Sequence, residues 1–488
     1  MGGVAWRIDA STRSDVFRIE PQSYAQGYKA LEMSAERARV LELLRRHGWN
    51  ATSFQVLEEG FAYAFDDAAD ACVAYVDTGR AWVVAGAPIA SEAAAAGVAT
   101  RFIARAEEAR RRVGFFAVED RFADASRLPS VRVGEQPTWD PSRWDESLRS
   151  AKSLREQLRR AKAKGVVARA VAASELEDEE SPLRRAVEEV ITRWLASRGM
   201  APMGFLVDVQ PFAFARERRY VVAEREGRIV AFLAAVPVYA RGGWLLEDLV
   251  RDPAAPNGTA ELVVDFAMRA LADEGSRYVT MGLAPLAGAV GWMLLARGLT
   301  RALYDFEGVR SFKAKLRPHA WEPIHLAYAP NGSANVALYD ALAAFARGSF
   351  TRFGAETLLH GPAVVVRALA ALLVPWTAML AMAPSRFFPR AWVQPAWVMF
   401  DAVLAVGLFA LAGRWRFWLG RVLAWAVAID ALVTWGEALL WNAPRARTLG
   451  DWAVIAIACS APTIAAVILE GAIGHRAWMK SGPPLLDA

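Results

Sequence analysis

Between residues 363 and 474 the chain carries four apolar runs, at roughly 363–383, 391–412, 419–441 and 452–474. Each is close to the ~20 residues a helix needs to cross a ~30 Å hydrocarbon core. Four such runs in series predict a membrane-embedded helical bundle and not a buried soluble one. Trp and Arg flank them, as in Trp415-Arg416-Phe417-Trp418, a composition suited to a lipid–water boundary. The Arg-bearing connector at 413–421 favours the cytoplasmic side for itself and for both termini. An even number of spans then keeps the soluble part and the tail together. Arg367, Asp401, Asp430 and Glu437 fall inside the runs. Charge within a bilayer is costly. Arg367 lies near a run's end, and Asp430 and Glu437 have Arg421 or another helix as partners, so no transport role is assigned.

The chain of 488 residues is 55% apolar, and the excess lies in its last quarter. Two or three folding units are expected at this length. The net charge of +5 is small, but basic residues cluster between Arg149 and Arg169. Cys72 and Cys459 are far apart and make neither a disulfide framework nor a metal pattern. They suit a reducing compartment. The start, MGGVAWRIDASTR, has no apolar core of a signal peptide. The soluble part is therefore expected to face the cytoplasm from a multi-pass domain in the cytoplasmic (inner) membrane.

Before residue 331 the periodicity is that of an α+β protein. Tyr24 to His47 has helical spacing and stops at Gly48. SFQVLE, FAYAF and CVAYVDTGRAWVVAG alternate as strands with turns at Glu59-Gly60 and Thr78-Gly79. A helix is expected over Ala93–Arg112, then a strand, GFFAVED. After a proline-rich joint at Pro137–Pro141 the pattern restarts. Helices over Trp144–Lys164 and Pro182–Ser197 precede the hairpin YVVAEREGRIVAFLAAVPVY, the strand Trp244–Val250, the helix Thr259–Glu274 and the strand RYVTMGLAP. Strand, turn, strand, turn, helix, strand thus occurs twice, which points to an internal duplication. The expected parts are residues 24–143, 144–330, a connector over 331–361, and the helices of 362–475.

The stretch WLLEDLVRDPAAPNGTAE, Trp244 to Glu261, carries the chemistry expected here. Asp248 and Arg251 stand at the end of an apolar strand, where sheets commonly open onto a ligand. A salt bridge at a strand end would place the same residues there. Met203 and Phe205 suit the lining of an acyl or aminoacyl pocket, or ordinary core. On the helix after Trp144, Lys152, Arg155, Arg159 and Lys162 share one side, beside an apolar stripe of Ala151, Leu154, Leu158 and Ala161. Such a helix can dock on a domain and present cations to RNA phosphates or anionic headgroups. His319 and His325 lack metal-ligand companions, so no metal is expected.

CVAYVDTGRAWVVAGAPI, PMGF at 202–205, EDLVRDPAAPNGTAE at 247–261, MGLAPL at 281–286 and above all FEGVRSFKAKLRPHAWEPIHLAY at 306–328 carry a family likeness. From about Tyr24 to Tyr328 the chain resembles the catalytic domain of the lysylphosphatidylglycerol synthase (multiple peptide resistance factor) family. The resemblance implies two tandem GNAT-like acyltransferase units, an aminoacyl-tRNA donor, a phosphatidylglycerol acceptor and no cofactor. It matches Asp248 and Arg251 to an Asp-x-x-Arg pair, Glu261 to an acid after the turn, and Arg310 and Lys313 to a basic pair. Members of the family usually carry their membrane helices before this domain; here they follow it, and four are expected. The turn after Arg251 has one glycine and two prolines, a poor cradle for the pyrophosphate of coenzyme A, because proline has no N–H. An acyl-CoA-dependent N-acyltransferase and a Fem-type peptidoglycan aminoacyltransferase are the rival enzymes, and a membrane-tethered sensing or scaffold domain the rival without catalysis. DNA is not an expected partner.

Overall fold

The alternating segments of the first 330 residues assemble into one twelve-stranded sheet in the computed structural model. It describes residues 35–198, 201–285, 306–360, 362–413 and 415–481. The expected helical stretch 24–34 and Leu286 of the MGLAPL motif lie outside these. Contacts divide the chain into a unit of residues 30–356 and a second that includes 357–488.

In the first unit the strands are β1 (Ala62–Asp66), β2 (Ala71–Asp77), β3 (Ala81–Ala85), β4 (Arg112–Glu119), β5 (Ser130–Trp139), β6 (Val167–Val171), β7 (Arg219–Arg225), β8 (Arg228–Val238), β9 (Gly243–Arg251), β10 (Val279–Thr280), β11 (Ala284–Pro285) and β12 (Ala320–Tyr328). Their spatial order is β1-β2-β3-β4-β12-β5-β10-β9-β8-β7-β6, with β11 against β5. All pairs are antiparallel except β3–β4 and β9–β10. Parallel neighbours need a crossover, and each pair has a helix for it: α1 (Glu92–Glu108) and α2 (Thr259–Asp273). β12, from the far end of the unit, inserts between β4 and β5, which are consecutive in the chain.

The two parallel pairs differ. β3 pairs with β4 along all of its length, from Ala81↔Arg112 to Ala85↔Phe116. β9 and β10 share only Val279↔Trp244 and Thr280↔Leu245. The expected strand RYVTMGLAP stops after Thr280, and Gly282, at φ +67°, turns the chain toward β5. Along Leu246–Arg251, β9 is paired on its β8 side; among the described residues no strand pairs with its other edge.

Apolar helix faces cover the sheet. Leu154, Leu158 and Ala161 of the basic segment pack with Val263, Leu271 and Leu233, as the stripe predicted. The helix itself is broken. It forms α3 (Trp144–Ser150) and α4 (Lys152–Ala163), joined at Ala151, because Arg155 Nη1 turns back to donate to Leu148 O and Arg149 O at the end of α3. SFQVLE is not a strand but lies mostly in a 3-10 helix, Ala51–Leu57, with Ser53–Leu57 all buried. A short run enclosed on every side has no period to betray its state. The proline-rich joint is in part the last third of β5. Pro137 sits at the break between the Thr280↔Thr138 and Ala284↔Glu135 ladders, a position that asks less of a residue without N–H.

The second unit is helical: Pro362–Ala381, Val393–Gly413, Phe417–Glu437 and Leu449–Ser481. Among the described residues three stretches, Val393–Gly413, Phe417–Arg445 and Leu449–Gly474, and not the four expected, are long and apolar enough to cross a membrane. The apolar part of the earliest helix, Val365–Ala381, is shorter. Leu404, Leu408, Leu423, Val427 and Leu469 form its core. Arg421 faces Glu470 at 3.5 Å, and not Asp430 or Glu437. Those two accept from Thr434 (3.1 Å) and the Trp397 indole (3.2 Å).

The turn between β9 and α2 packs tightly on α4. Gly258 has φ +94°, and a Cβ there would stand 2.2 Å from Gln157 O. Gly258→Ala is expected to lower the unfolding free energy by about 2–4 kcal/mol, combining left-handed strain with overpacking. Denaturant unfolding followed by Trp fluorescence measures it.

Candidate functional site

An unpaired strand edge inside a sheet is unusual, because its N–H and C=O groups need partners. On the far bank of this gap the partners are specific. The carbonyls of Met281, Gly282 and Leu283, just past β10, all accept from Lys313 Nζ at 2.8, 2.9 and 2.8 Å. Lys313 lies on the helix Phe306–Lys315. Burial alone draws its ammonium down to about 7. Three acceptors at bonding distance call for all three N–H groups of the charged form, so the geometry favours the cation. Lys313, which the resemblance placed in a basic pair, thus spends its three N–H groups on the fold's own carbonyls. It holds the end of β10 away from β9.

The other residues carried over from the family pattern are also tied into the fold. Arg310 donates to Glu135 at 3.0 and 3.2 Å, and its guanidinium lies 5.1 Å from the Trp321 ring. Glu261 is buried on the first turn of α2 and pairs with Lys315, which also reaches Gln157. Phe205 is core: it packs against Phe345 at 5.3 Å, Phe61 at 5.7 Å and Phe116 at 6.1 Å. These rings hold it at φ +63°, a strained angle for a residue with a side chain. Met203 is half-buried.

Asp248 and Arg251 do not form a pair. Residues three apart on a strand point to opposite faces, and the ladder agrees. Asp248 sits opposite Ala234, on the face of Phe232 and Val250. Arg251 sits opposite Ala231, on the face of Leu246 and α2. The Arg251 side chain is half-buried; its contact to Ala255 O is long, at 3.4 Å. Asp248 is only 7% exposed.

Around Asp248 the structure gathers charges that the sequence reading missed. The ladder skips Glu247, between Leu246↔Ala235 and Asp248↔Ala234. This β-bulge lets two successive acids reach one cluster. Arg218, fully enclosed, donates to Glu247 through Nη1 and to Ala213 O through Nε (2.8 Å), and its Nη2 stands 3.5 Å from Glu58. Glu58 follows the 3-10 helix of the amino-terminal half, so the cluster bridges distant parts of the chain. Burial and the charge of Glu247 push the carboxyls of Glu58 and Asp248 well above the usual range, against the pull of Arg218. Burial opposes the charge on Arg218 itself, and Glu247 outweighs it. Both oxygens of Glu58, Glu247 Oε1 and Asp248 Oδ2 have no hydrogen-bond partner. The doublet Glu247-Asp248 in an apolar strand was the legible signal; Glu58 and Arg218 gave none.

Beside the gap, α4 presents its basic side. Lys152, Arg155, Arg159 and Lys162 are all exposed. Arg155 is partly used at the end of α3 and Arg159 pairs with Glu156 at 2.8 Å. Gln157 of the same helix touches the β9–α2 turn at Gly258.

The sequence profile described as phosphatidylglycerol lysyltransferase, C-terminal, matches residues 41–328, more than half of the chain. The chain belongs to that family. Over 125 residues, 23% of the chain, it is 34% identical to a phosphatidylglycerol lysyltransferase of Bacillus subtilis (strain 168). That stretch is 14% of the relative's length, so only a small part of the relative is represented. Two solved structures share the fold. The C-terminal domain of a putative lysylphosphatidylglycerol synthetase from Agrobacterium fabrum superposes with a TM-score of 0.55 at 23% identity, covering 64% of this chain and 98% of that one. L-PGS from Bacillus licheniformis gives 0.54 at 22%, covering 63% and 96%. The family match takes in the gap, the bulge and the lysine clasp together.

Two outcomes follow from the family's site as it stands here. Lys313→Met leaves three carbonyls without a donor, and should cost roughly 3 kcal/mol or more of stability, read by denaturant unfolding. The raised carboxyls make a pH prediction. Unfolded, Glu58 and Asp248 release protons near their ordinary values; folded, only at higher pH. Their contribution is present in acid and is lost as pH rises through the raised values. Glu58→Gln should flatten the fall in unfolding free energy as pH rises above the ordinary carboxylate range.

Proposed function

We propose that the chain is a membrane-bound aminoacyltransferase. It moves an aminoacyl group, lysine or a similar one, from aminoacyl-tRNA to phosphatidylglycerol or a related lipid. The observation that carries this is the gap beside Leu246–Arg251, which β10 leaves after two pairs, in a chain of this family. We read the two parallel pairs with their crossover helices as two GNAT-like halves, 24–143 and 144–330, the second catalytic. Residues 331–361 connect them to a four-helix membrane domain, 362–475, of the cytoplasmic membrane, with the catalytic halves on the cytoplasmic side.

The chemistry needs little from the protein. An aminoacyl ester is already activated, so much of the gain comes from holding donor and acceptor together. The lipid hydroxyl oxygen attacks the ester carbonyl carbon and gives up its proton. The tetrahedral intermediate collapses, the bond to the ribose oxygen breaks, and that oxygen takes a proton. An ester inserted edge-on against β9 is flanked by side chains from both faces of the strand. Asp248, a stronger base than an ordinary aspartate and with Oδ2 unpartnered, accepts the hydroxyl proton from one face. Arg251 stabilises the developing oxyanion or a phosphate from the other. Lys152, Arg155, Arg159 and Lys162 attract the phosphates of the tRNA acceptor end.

Lipids extracted from cells that express the chain, fed labelled amino acids one at a time, should show one labelled aminoacyl phospholipid on thin-layer plates. Arg251→Ala should reduce its rate of formation by about 10²-fold or more with unfolding unchanged. A wild-type rate in that variant removes Arg251 from the reaction; label on a peptidoglycan precursor but not on phospholipid removes the lipid acceptor.

A further inference from the structure

Large apolar side chains are seldom exposed in the unit of residues 30–356. Among its described residues six stand out: Val167, Val207, Val336, Tyr339, Leu342 and Phe350. Single exposed residues of this kind are ordinary. Four of the six, however, lie between residues 336 and 350. Val336, Tyr339 and Leu342 are 39%, 46% and 48% exposed and recur every third residue on the helix Ala334–Phe345. The opposite side of that helix, Ala337, Leu338, Ala341 and Ala344, is packed in the core. Phe350, 40% exposed, extends the strip: its ring centroid is 5.2 Å from that of Tyr339. A concentration like this marks an interaction surface.

We propose that this strip is seated in the headgroup–acyl boundary of the same bilayer that the later helices cross. Three features point to lipid as the occupant. The strip combines a tyrosine and a phenylalanine with aliphatic residues, the composition of interfacial segments. Arg347 and Arg352 flank Phe350; their side chains are 53% and 80% exposed even though they pair with Asp208 and Glu356, and exposed guanidinium groups there suit anionic headgroups. The chain itself limits the choice. Pro362 starts the apolar helices only twelve residues after Phe350, a reach of no more than ~40 Å even fully extended. A surface held that near a bilayer and shaped for its boundary has lipid at high local concentration. Seating it there fixes the height of the catalytic unit above the lipid, so that an acceptor headgroup need not leave the membrane.

The inference rests on the membrane reading of the later helices and not on the transfer chemistry, and its test reads no activity. The full chain is reconstituted in liposomes of phosphatidylglycerol and phosphatidylethanolamine. Leu342→Cys and, separately, Tyr339→Cys carry a bimane fluorophore; the natural Cys72 and Cys459 are buried. Val167→Cys, on β6, is the control. Brominated acyl chains should quench both strip positions at least fivefold more than the control, and aqueous iodide should do the reverse. Iodide quenching at the strip equal to the control overturns the proposal. Shielding from both quenchers overturns it too, since protein then covers the strip.

Discussion

Lys313 and three carbonyls decide the shape of the centre of this sheet. Parallel strands go on pairing while their backbone groups have nothing better to bond. Past Thr280 the carbonyls of Met281, Gly282 and Leu283 do have something better: a buried ammonium within 2.9 Å of each. A hydrogen bond from a charged donor is worth roughly 1.5–3 kcal/mol, more than a neutral ladder bond. Among the described residues the exchange leaves β9, inside the sheet, with one edge bare along Leu246–Arg251. β3 and β4 have no such competitor along β3 and pair to its end. The same topology thus yields a closed pair in one half and an open one in the other. What separates them is a side chain from a helix more than thirty residues further along the chain.

The bulge at Glu247 sets what that bare edge can hold. Strict alternation would put Glu247 and Asp248 on opposite faces. The extra residue lets both face one cluster: Glu247 accepts from Arg218, Asp248 lies within the field of that guanidinium, and Glu58 is brought in from the amino-terminal half. One guanidinium among three carboxyls cannot neutralise them all in a dry interior. Burial and the charge of Glu247 accordingly raise the proton affinity of Glu58 and Asp248. Removing either partner of the Arg218–Glu247 pair would strand a buried charge, so the cluster is also a joint between the two halves of the sheet. A second joint stands elsewhere: Arg241 donates to Glu119 at 3.0 Å and to Glu322 at 3.1 Å, and lies 3.6 Å from the Tyr278 ring.

Much of the fold was legible. Alternation found β1 to β4 and β7 to β9, the turn pairs Thr78-Gly79 and Glu226-Gly227 fell where hairpins reverse, and the stripe Leu154, Leu158, Ala161 is buried as its spacing said. The failures share a cause: they depend on partners distant in sequence. The 3-10 helix at Ser53 is chosen by burial on all sides, the break at Ala151 by an arginine reaching back over α3, and the short β10 by Lys313. The site was half legible for the same reason. An acid doublet in an apolar strand is visible; which face each acid takes depends on a bulge, and a bulge depends on β8. The family resemblance named Glu261, Arg310 and Lys313, but not that each is held by the fold's own groups.

That distinction changes where the chemistry is to be sought. The cations that the resemblance matched, Arg310 and Lys313, and their neighbour Lys315 are engaged by Glu135, three carbonyls and Glu261. They build the walls of the gap. Arg251 and the exposed lysines of α4 remain with their charge unspent on the fold, Arg251 at the edge itself and Lys152 and Lys162 beside the turn. A polyanion approaching along α4 would meet cations that cost the fold nothing to give up, beside the turn that follows the inner strand edge left unpaired among the described residues.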